Sequence, residues 1–197
     1  TYQTTLTFRG PLEERKAKLD ELTIPQLCEK RSKMHFGEKA GSRYQMLSSA
    51  YQMIQAGNYH CPDSFKDILR QYQETDSGLD YEYRRFYTAY DQIEDTTAFE
   101  PLRDLVENIY TNEYLETLLP KWNSAMQEPD AFTQLPLQRD FYARNIKNAK
   151  ERTVVIISDA MRYEVGKELF RRMQDDPKCS AKLEVQLSML PSYTRLG

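Results

Sequence analysis

The sequence predicts a mostly α chain: a helical domain over residues 1–135, then a connecting helix and the start of an α/β domain, a β-α-β unit, over 136–197. Three observations predict it. Apolar residues recur at helical spacing through most of the first 150 positions. Only 7 glycines and 9 prolines argue against a loop-rich all-β fold. Near the C-terminus the texture changes to a short β-branched run, a four-residue periodicity and then a strict alternation.

Residues 1–10 are unpatterned. Pro11 followed by Leu12, Arg15, Leu19 and Leu22 predicts a helix starting on its proline. The second half of 23–41, with His35, Gly37 and Gly41, reads as a connection. Ser42 caps a helix carrying Tyr44, Leu47, Tyr51 and Ile54, which stops at Gly57-Asn58. Pro62-Asp63-Ser64 opens another with Phe65, Ile68, Leu69 and Tyr72, broken at Ser77-Gly78. Tyr83, Phe86, Tyr87, Tyr90 and Ile93 continue the spacing. Pro101 starts a stretch with Leu102, Leu105, Val106 and Ile109, carried on after a kink near Thr111-Asn112 by Tyr114, Leu115, Leu118 and Trp122. Residues 128–136 read as the main linker, and Phe141, Tyr142 and Ile146 mark a further helix over 137–150.

Val154 to Ile157 suits a strand covered on both faces. Met161, Val165, Leu169 and Met173 form an amphipathic helix ended by Asp175-Asp176-Pro177. Leu183, Val185, Leu187 and Met189 alternate with Glu184, Gln186 and Ser188, a strand with one buried face. The three make a parallel, right-handed β-α-β unit. Two strands and a helix fall short of an independent sheet. The unit is therefore expected to dock on the helices, to fray, or to pair through its open edge.

Net charge is -3, with 8 Lys/Arg and 7 Asp/Glu in 151–197 and 19 and 23 before them. No nucleic-acid contact is predicted from these totals, although a local basic patch is compatible with them. Cys28, Cys61 and Cys179 are widely spaced, which suits reduced thiols and a cytoplasmic setting. The longest apolar run is four residues, too short for a membrane span. Without a signal peptide or an initial methionine, both ends are expected to be cut from a longer polypeptide.

Asp159, at the end of the first predicted strand, is either a helix N-cap or a metal ligand. Thr194 is either a turn or cap residue, or a nucleophile if a base or metal lowers its pKa. Arg162 and Glu164 read as solvated residues of the first helical turn. The stripe Tyr83, Phe86, Tyr87 and Tyr90 reads as core rather than as a base-stacking surface. His35 and His60-Cys61 lack a second ligand set at metal spacing. Gly37-x-x-x-Gly41-Ser42 lacks the spacing and lysine of a phosphate loop.

Val155-Ile-Ile-Ser-Asp-Ala-Met-Arg-Tyr-Glu164 and Leu190-Pro-Ser-Tyr-Thr-Arg-Leu-Gly197 together resemble the start of the PglZ domain, of the alkaline phosphatase superfamily. Ile24-Pro-Gln-Leu-Cys-Glu-Lys-Arg, Tyr81-Glu-Tyr-Arg-Arg-Phe-Tyr and Leu105-Val-Glu-Asn-Ile-Tyr-Thr-Asn resemble the helical segment preceding it. The family is best known as the phosphatase component of BREX anti-phage defence in bacteria. The resemblance implies a metal ligand at Asp159 and a metal-bound nucleophile at Thr194. It also implies two divalent metals, commonly zinc, acting on a phosphate ester of unidentified identity, and other BREX proteins as partners. Metal would lower the pKa of the Thr194 hydroxyl, and attack would give a phosphothreonine that water then hydrolyses. A catalytic zinc takes about three protein ligands. One Asp and one Thr are too few, so this chain is expected to bind zinc weakly or not at all and to be inactive alone. The rival expectation is a non-catalytic scaffold that docks defence-complex partners.

Overall fold

The structure, a computed structural model, describes residues 11–21, 23–35, 37–128, 131–133, 135–159 and 161–188. The chain divides into two compact units, Thr1–Asn123 and Ser124–Gly197. The described part is mostly helical.

The first unit contains α1 (Leu12–Glu21), α2 (Ile24–Ser32), α3 (Gly37–Gln55), α4 (Phe65–Gln71), α5 (Ser77–Tyr90), α6 (Glu100–Asn108) and the start of α7 (Glu116–Ala125). Its centre is α3, which packs against α1, α2, α5 and α6. Met46, Ala50, Met53 and Ile54 line one face of α3 at helical spacing. They share a core with Ile24 and Cys28 of α2, Phe86 and Ala89 of α5, and Leu102 and Val106 of α6. The aromatic stripe of α5 belongs to this packing: Phe86 and Tyr90 are buried, and Tyr83 stacks on Tyr110 at 3.7 Å.

Several boundaries differ from the sequence reading. α3 begins at Gly37, so Gly37 to Gly41 is helix rather than connection. A Cβ at Gly37 would lie 2.0 Å from the Ser32 carbonyl oxygen, and only glycine fits so close a corner between α2 and α3. Ser42 lies inside α3 and does not cap it; its hydroxyl donates to Gln92 Oε1 at 2.8 Å. Ser64 does cap α4, accepting from the Asp67 N–H at 3.2 Å. Ser77-Gly78 breaks nothing. A π-helical turn, Tyr72–Asp76, carries the chain from α4 into α5. A second π-helical turn, Ile109–Leu115, stands where a kink was expected between α6 and α7. Both absorb an extra residue by widening the helix.

The second unit has short 3₁₀ turns at Ala131–Thr133 and Gln138–Asp140, a π-helical turn at Tyr142–Ile146, and α8 (Tyr163–Gln174). The helix expected over 137–150 is thus reduced to turns. The expected β-α-β unit is not formed among the described residues, where one isolated parallel bridge, Leu137 to Leu187, stands in place of a sheet. Its hydrogen bonds run from Gln138 N–H to Leu187 O, 2.9 Å, and from Leu187 N–H to Pro136 O, 2.8 Å. Val154, Val155, Ile156 and Ile157 are 73, 46, 87 and 87% exposed. Strand N–H and C=O groups need a neighbour, and these residues find no strand partner among the described ones. The alternation at 181–188 is nevertheless realised, with Leu183, Val185 and Leu187 half-buried and the residues between them exposed. Leu183 lies against α8, its Cδ1 3.9 Å from where a Cβ on Gly166 would sit.

Candidate functional site

Of the residues singled out in the sequence of the second unit, Asp159, Arg162 and Glu164 lie at or just before the start of α8. Arg162 occupies the N-cap position in extended conformation, φ -77 and ψ 160. Its carbonyl accepts the Val165 and Gly166 N–H groups, each at 3.1 Å. Asp159 is therefore not the cap of α8; it lies in an exposed turn ahead of it. Thr194 lies outside the described residues. Glu164, read from sequence as solvated, is 2% exposed in the first turn of α8, where the helix dipole favours a carboxylate. Met161, just before α8, and Leu169 and Met173 on it are exposed, so the expected apolar stripe is largely uncovered, and α8 begins at Tyr163 rather than including Met161.

Farther along α8, Glu168 receives Arg171 at 3.0 and 3.1 Å and Arg172 at 2.7 Å. These bonds pull its carboxyl down to about 2. The arginines sit in the last turn, where cations oppose the helix dipole favourably. No group of three or more His, Cys, Asp or Glu among the described residues is arranged to hold a metal ion. The described residues alone therefore do not make up a zinc site.

The first unit holds a buried polar network that the sequence reading missed. Asp76 is 4% exposed, yet the side chains that donate to it are neutral. They are Tyr59 OH at 2.6 Å, Gln71 Nε2 at 3.2 Å and Thr75 Oγ1 at 3.0 Å. Asp80 accepts Tyr72 OH at 2.7 Å and Tyr110 OH at 2.8 Å. Nearby, Glu107 Oε2 accepts Tyr83 OH at 2.8 Å and Tyr87 OH at 2.6 Å. Burial first, and these carboxylates second, push Tyr59 and Tyr87 far above the usual phenol range and Tyr83 up to about 12. Such phenols stay protonated and act as donors, so the network joins elements rather than performing acid-base chemistry near neutrality. Its signal was present as two carboxylates four apart, Asp76 and Asp80, among tyrosines. Only the two π-helical turns bring Tyr72 and Tyr110 to one of them.

A groove of about 510 Å³ runs beside α3, lined by Gln26, Cys28, Tyr44, Ser48 and Arg85 among others. Burial raises the Cys28 thiol to about 11, so it is not an activated nucleophile. Arg85 lies 5.2 Å over the Tyr81 ring and 3.6 Å from Glu82.

Comparison with known proteins bears on the second unit first. Residues 140–197 match the family described as the BREX system PglZ alkaline phosphatase-like domain. Over 189 residues, 90% of its length, the chain is 38% identical to "Alkaline phosphatase-like protein PglZ" of Bacillus cereus (strain H3081.97). The chain belongs to the PglZ family. It is also 30% identical over 171 residues, 78% of its length, to "Alkaline phosphatase-like protein BrxZ" of Escherichia coli O9:H4 (strain HS). It spans 22% and 20% of the length of these two PglZ-family relatives. No solved structure matches it. Asp159 and Thr194 both fall within the residues matched to the PglZ domain, whereas the tyrosine network and the groove lie before them. No helix among the described residues is long and apolar enough to cross a membrane.

Proposed function

We propose that this chain is part of a metal-dependent phosphatase-like protein of bacterial BREX defence, with Asp159 supplying one ligand to a divalent metal, zinc in expectation, and Thr194 supplying the nucleophile. The observation that carries this reading is the PglZ-domain match over 140–197, which contains both residues. Asp159 lies just ahead of α8 and outside its capping position, as a strand-end ligand would. Further ligands come from sequence beyond this chain in the longer polypeptide, and this chain alone is inactive. In that polypeptide Val154 to Ile157 and Leu183 to Leu187 become strands of a parallel sheet, with α8 as their crossover. Four exposed branched residues in a row fit a strand whose neighbours lie elsewhere in the protein. Its partners are other BREX proteins, its setting the cytoplasm, and its substrate a phosphate ester.

The test is hydrolysis of chromogenic phosphate mono- and diesters by the natural, longer polypeptide across several divalent metals. Thr194→Ala is expected to lower turnover by about 10³-fold or more, because loss of a nucleophile removes the covalent route. Asp159→Ala is expected to lower bound metal as well. A second reading, a scaffold that docks defence partners, draws on the self-contained core of the first unit. Turnover absent with every metal, or indifferent to Thr194, decides for the scaffold.

A further inference from the structure

Between the bridge at Leu137 and the exposed run at Val154, the second unit carries a basic, aromatic segment that the phosphatase reading does not use. Residues 139–152 hold five Lys/Arg, at Arg139, Arg144, Lys147, Lys150 and Arg152, against Asp140 and Glu151. That is a local excess of three positive charges in a chain of net charge -3. Arg139 stands 4.0 Å from Asp140, a loose exposed pair. Arg144, whose charge reaches Glu184, and Lys147, Lys150 and Arg152 make no ion pair among the described residues. All five cations are exposed.

Two aromatic rings stand among these charges. Tyr142 is 65% and Phe141 37% exposed. The π-helical turn Tyr142–Ile146 fixes the backbone there. Lys147 N–H donates to Tyr142 O at 2.9 Å, and Asn145 Nδ2 to Phe141 O at 3.1 Å. Exposed rings flanked by cations can stack on unpaired bases while the charges hold the phosphates. A duplex hides its base faces, so the pairing of ring and charge favours a single strand.

We propose that residues 139–152 form a contact surface for single-stranded nucleic acid, with Tyr142 and Phe141 as the stacking platform and Arg144, Lys147, Lys150 and Arg152 as phosphate contacts. This goes beyond the phosphatase reading and does not depend on it. A net charge of -3 gives this chain no general affinity for phosphates, so its own binding would have to come from a local basic surface such as this one.

The experiment is fluorescence anisotropy of a labelled oligothymidylate of roughly 20 nucleotides with the natural, longer polypeptide, over about 50 to 300 mM salt. Lys147→Glu with Lys150→Glu is expected to weaken binding at least tenfold and to flatten the salt slope by about 1.4, two phosphate contacts' worth for a single strand. Tyr142→Ala is expected to weaken binding about 5- to 150-fold with the slope unchanged. Unchanged thermal midpoints in both variants show that the fold is intact; a folded Tyr142→Phe that retains binding further supports stacking. Absence of binding at the lowest salt overturns the proposal, as does binding that both variants leave unaltered. It is equally overturned if polyglutamate competes as well as the oligonucleotide and Tyr142→Ala has no effect, which would mark a surface for acidic proteins.

Discussion

The two units treat their apolar residues in opposite ways. In the first, Phe86, Met46, Met53, Leu102 and Val106 are all buried around α3. In the second, Val154 to Ile157, Leu169 and Met173 are exposed. Composition does not separate them, since both supply branched and long apolar side chains. The difference lies in what each element needs to be complete. A helix satisfies its own backbone and asks only for a surface to cover one face. A strand requires a hydrogen-bonded neighbour before its side chains have a face to bury. Local sequence can therefore build the helical unit by itself, and a central strand waits for its sheet.

The largest expected effect breaks or sustains this contrast directly. Phe86→Ala is expected to cost about 3–5 kcal/mol in thermal or denaturant unfolding. Ile156→Ala in the same chain is expected to change stability by no more than about 0.5 kcal/mol. In the longer polypeptide the proposed strand assignment predicts that the same Ile156→Ala costs about 2–5 kcal/mol, the cost of truncating a side chain inside a sheet. An equal, small effect in both contexts would remove the strand assignment.

The buried network gives a smaller effect confined to the first unit. Asp76→Ala leaves Tyr59, Gln71 and Thr75 without their shared acceptor. A loss of about 1–3 kcal/mol is expected, chiefly from the Tyr59 hydroxyl, because Gln71 Nε2 keeps the His60 carbonyl and Thr75 Oγ1 the Gln71 carbonyl. Hydrogen exchange in the two π-helical turns should rise with it, while α8 stays as protected as before. Unchanged exchange in the first of these turns would remove the hub role assigned to Asp76.

The smallest effect belongs to α8. Glu168 has a carboxyl held down to about 2 by Arg171 and Arg172, below its ordinary value near 4.5. Its contribution is therefore present above pH 4.5 and is lost as pH falls through about 2. The pairs are largely exposed, so water and salt reduce their worth to less than about 1 kcal/mol. Far-UV circular dichroism between pH 5 and 2 is expected to show a modest loss of helix in the parent. Glu168→Gln should lack this salt-sensitive part of the transition.

Much of the helical architecture was legible because periodicity reports a helix's buried face. The faces built on Leu47 and Ile54, Phe65 and Ile68, Phe86 and Tyr90, and Leu102 and Val106 are where the spacing put them. The Ser64 cap was also legible, because its hydroxyl acts on its own first turn. Boundaries were less so. Gly37, Gly41 and Gly78 carry the marks of breakers, yet all lie within helices. At Gly37 the reason is a close approach to Ser32 that no local pattern announces.

The sequence by itself determined the helical faces, the change of texture at Thr153 and the family motifs around Asp159 and Thr194, because each is written in neighbouring residues. Tertiary structure alone decided that Glu164 is buried, that Arg162 rather than Asp159 stands at the N-cap position of α8, and that Tyr59, Tyr72 and Tyr110 converge on two carboxylates. It also decided that a strand-like run remains exposed among the described residues. These outcomes depend on which distant groups arrive at a place, and burial, capping and hydrogen bonding all respond to those arrivals rather than to the local pattern.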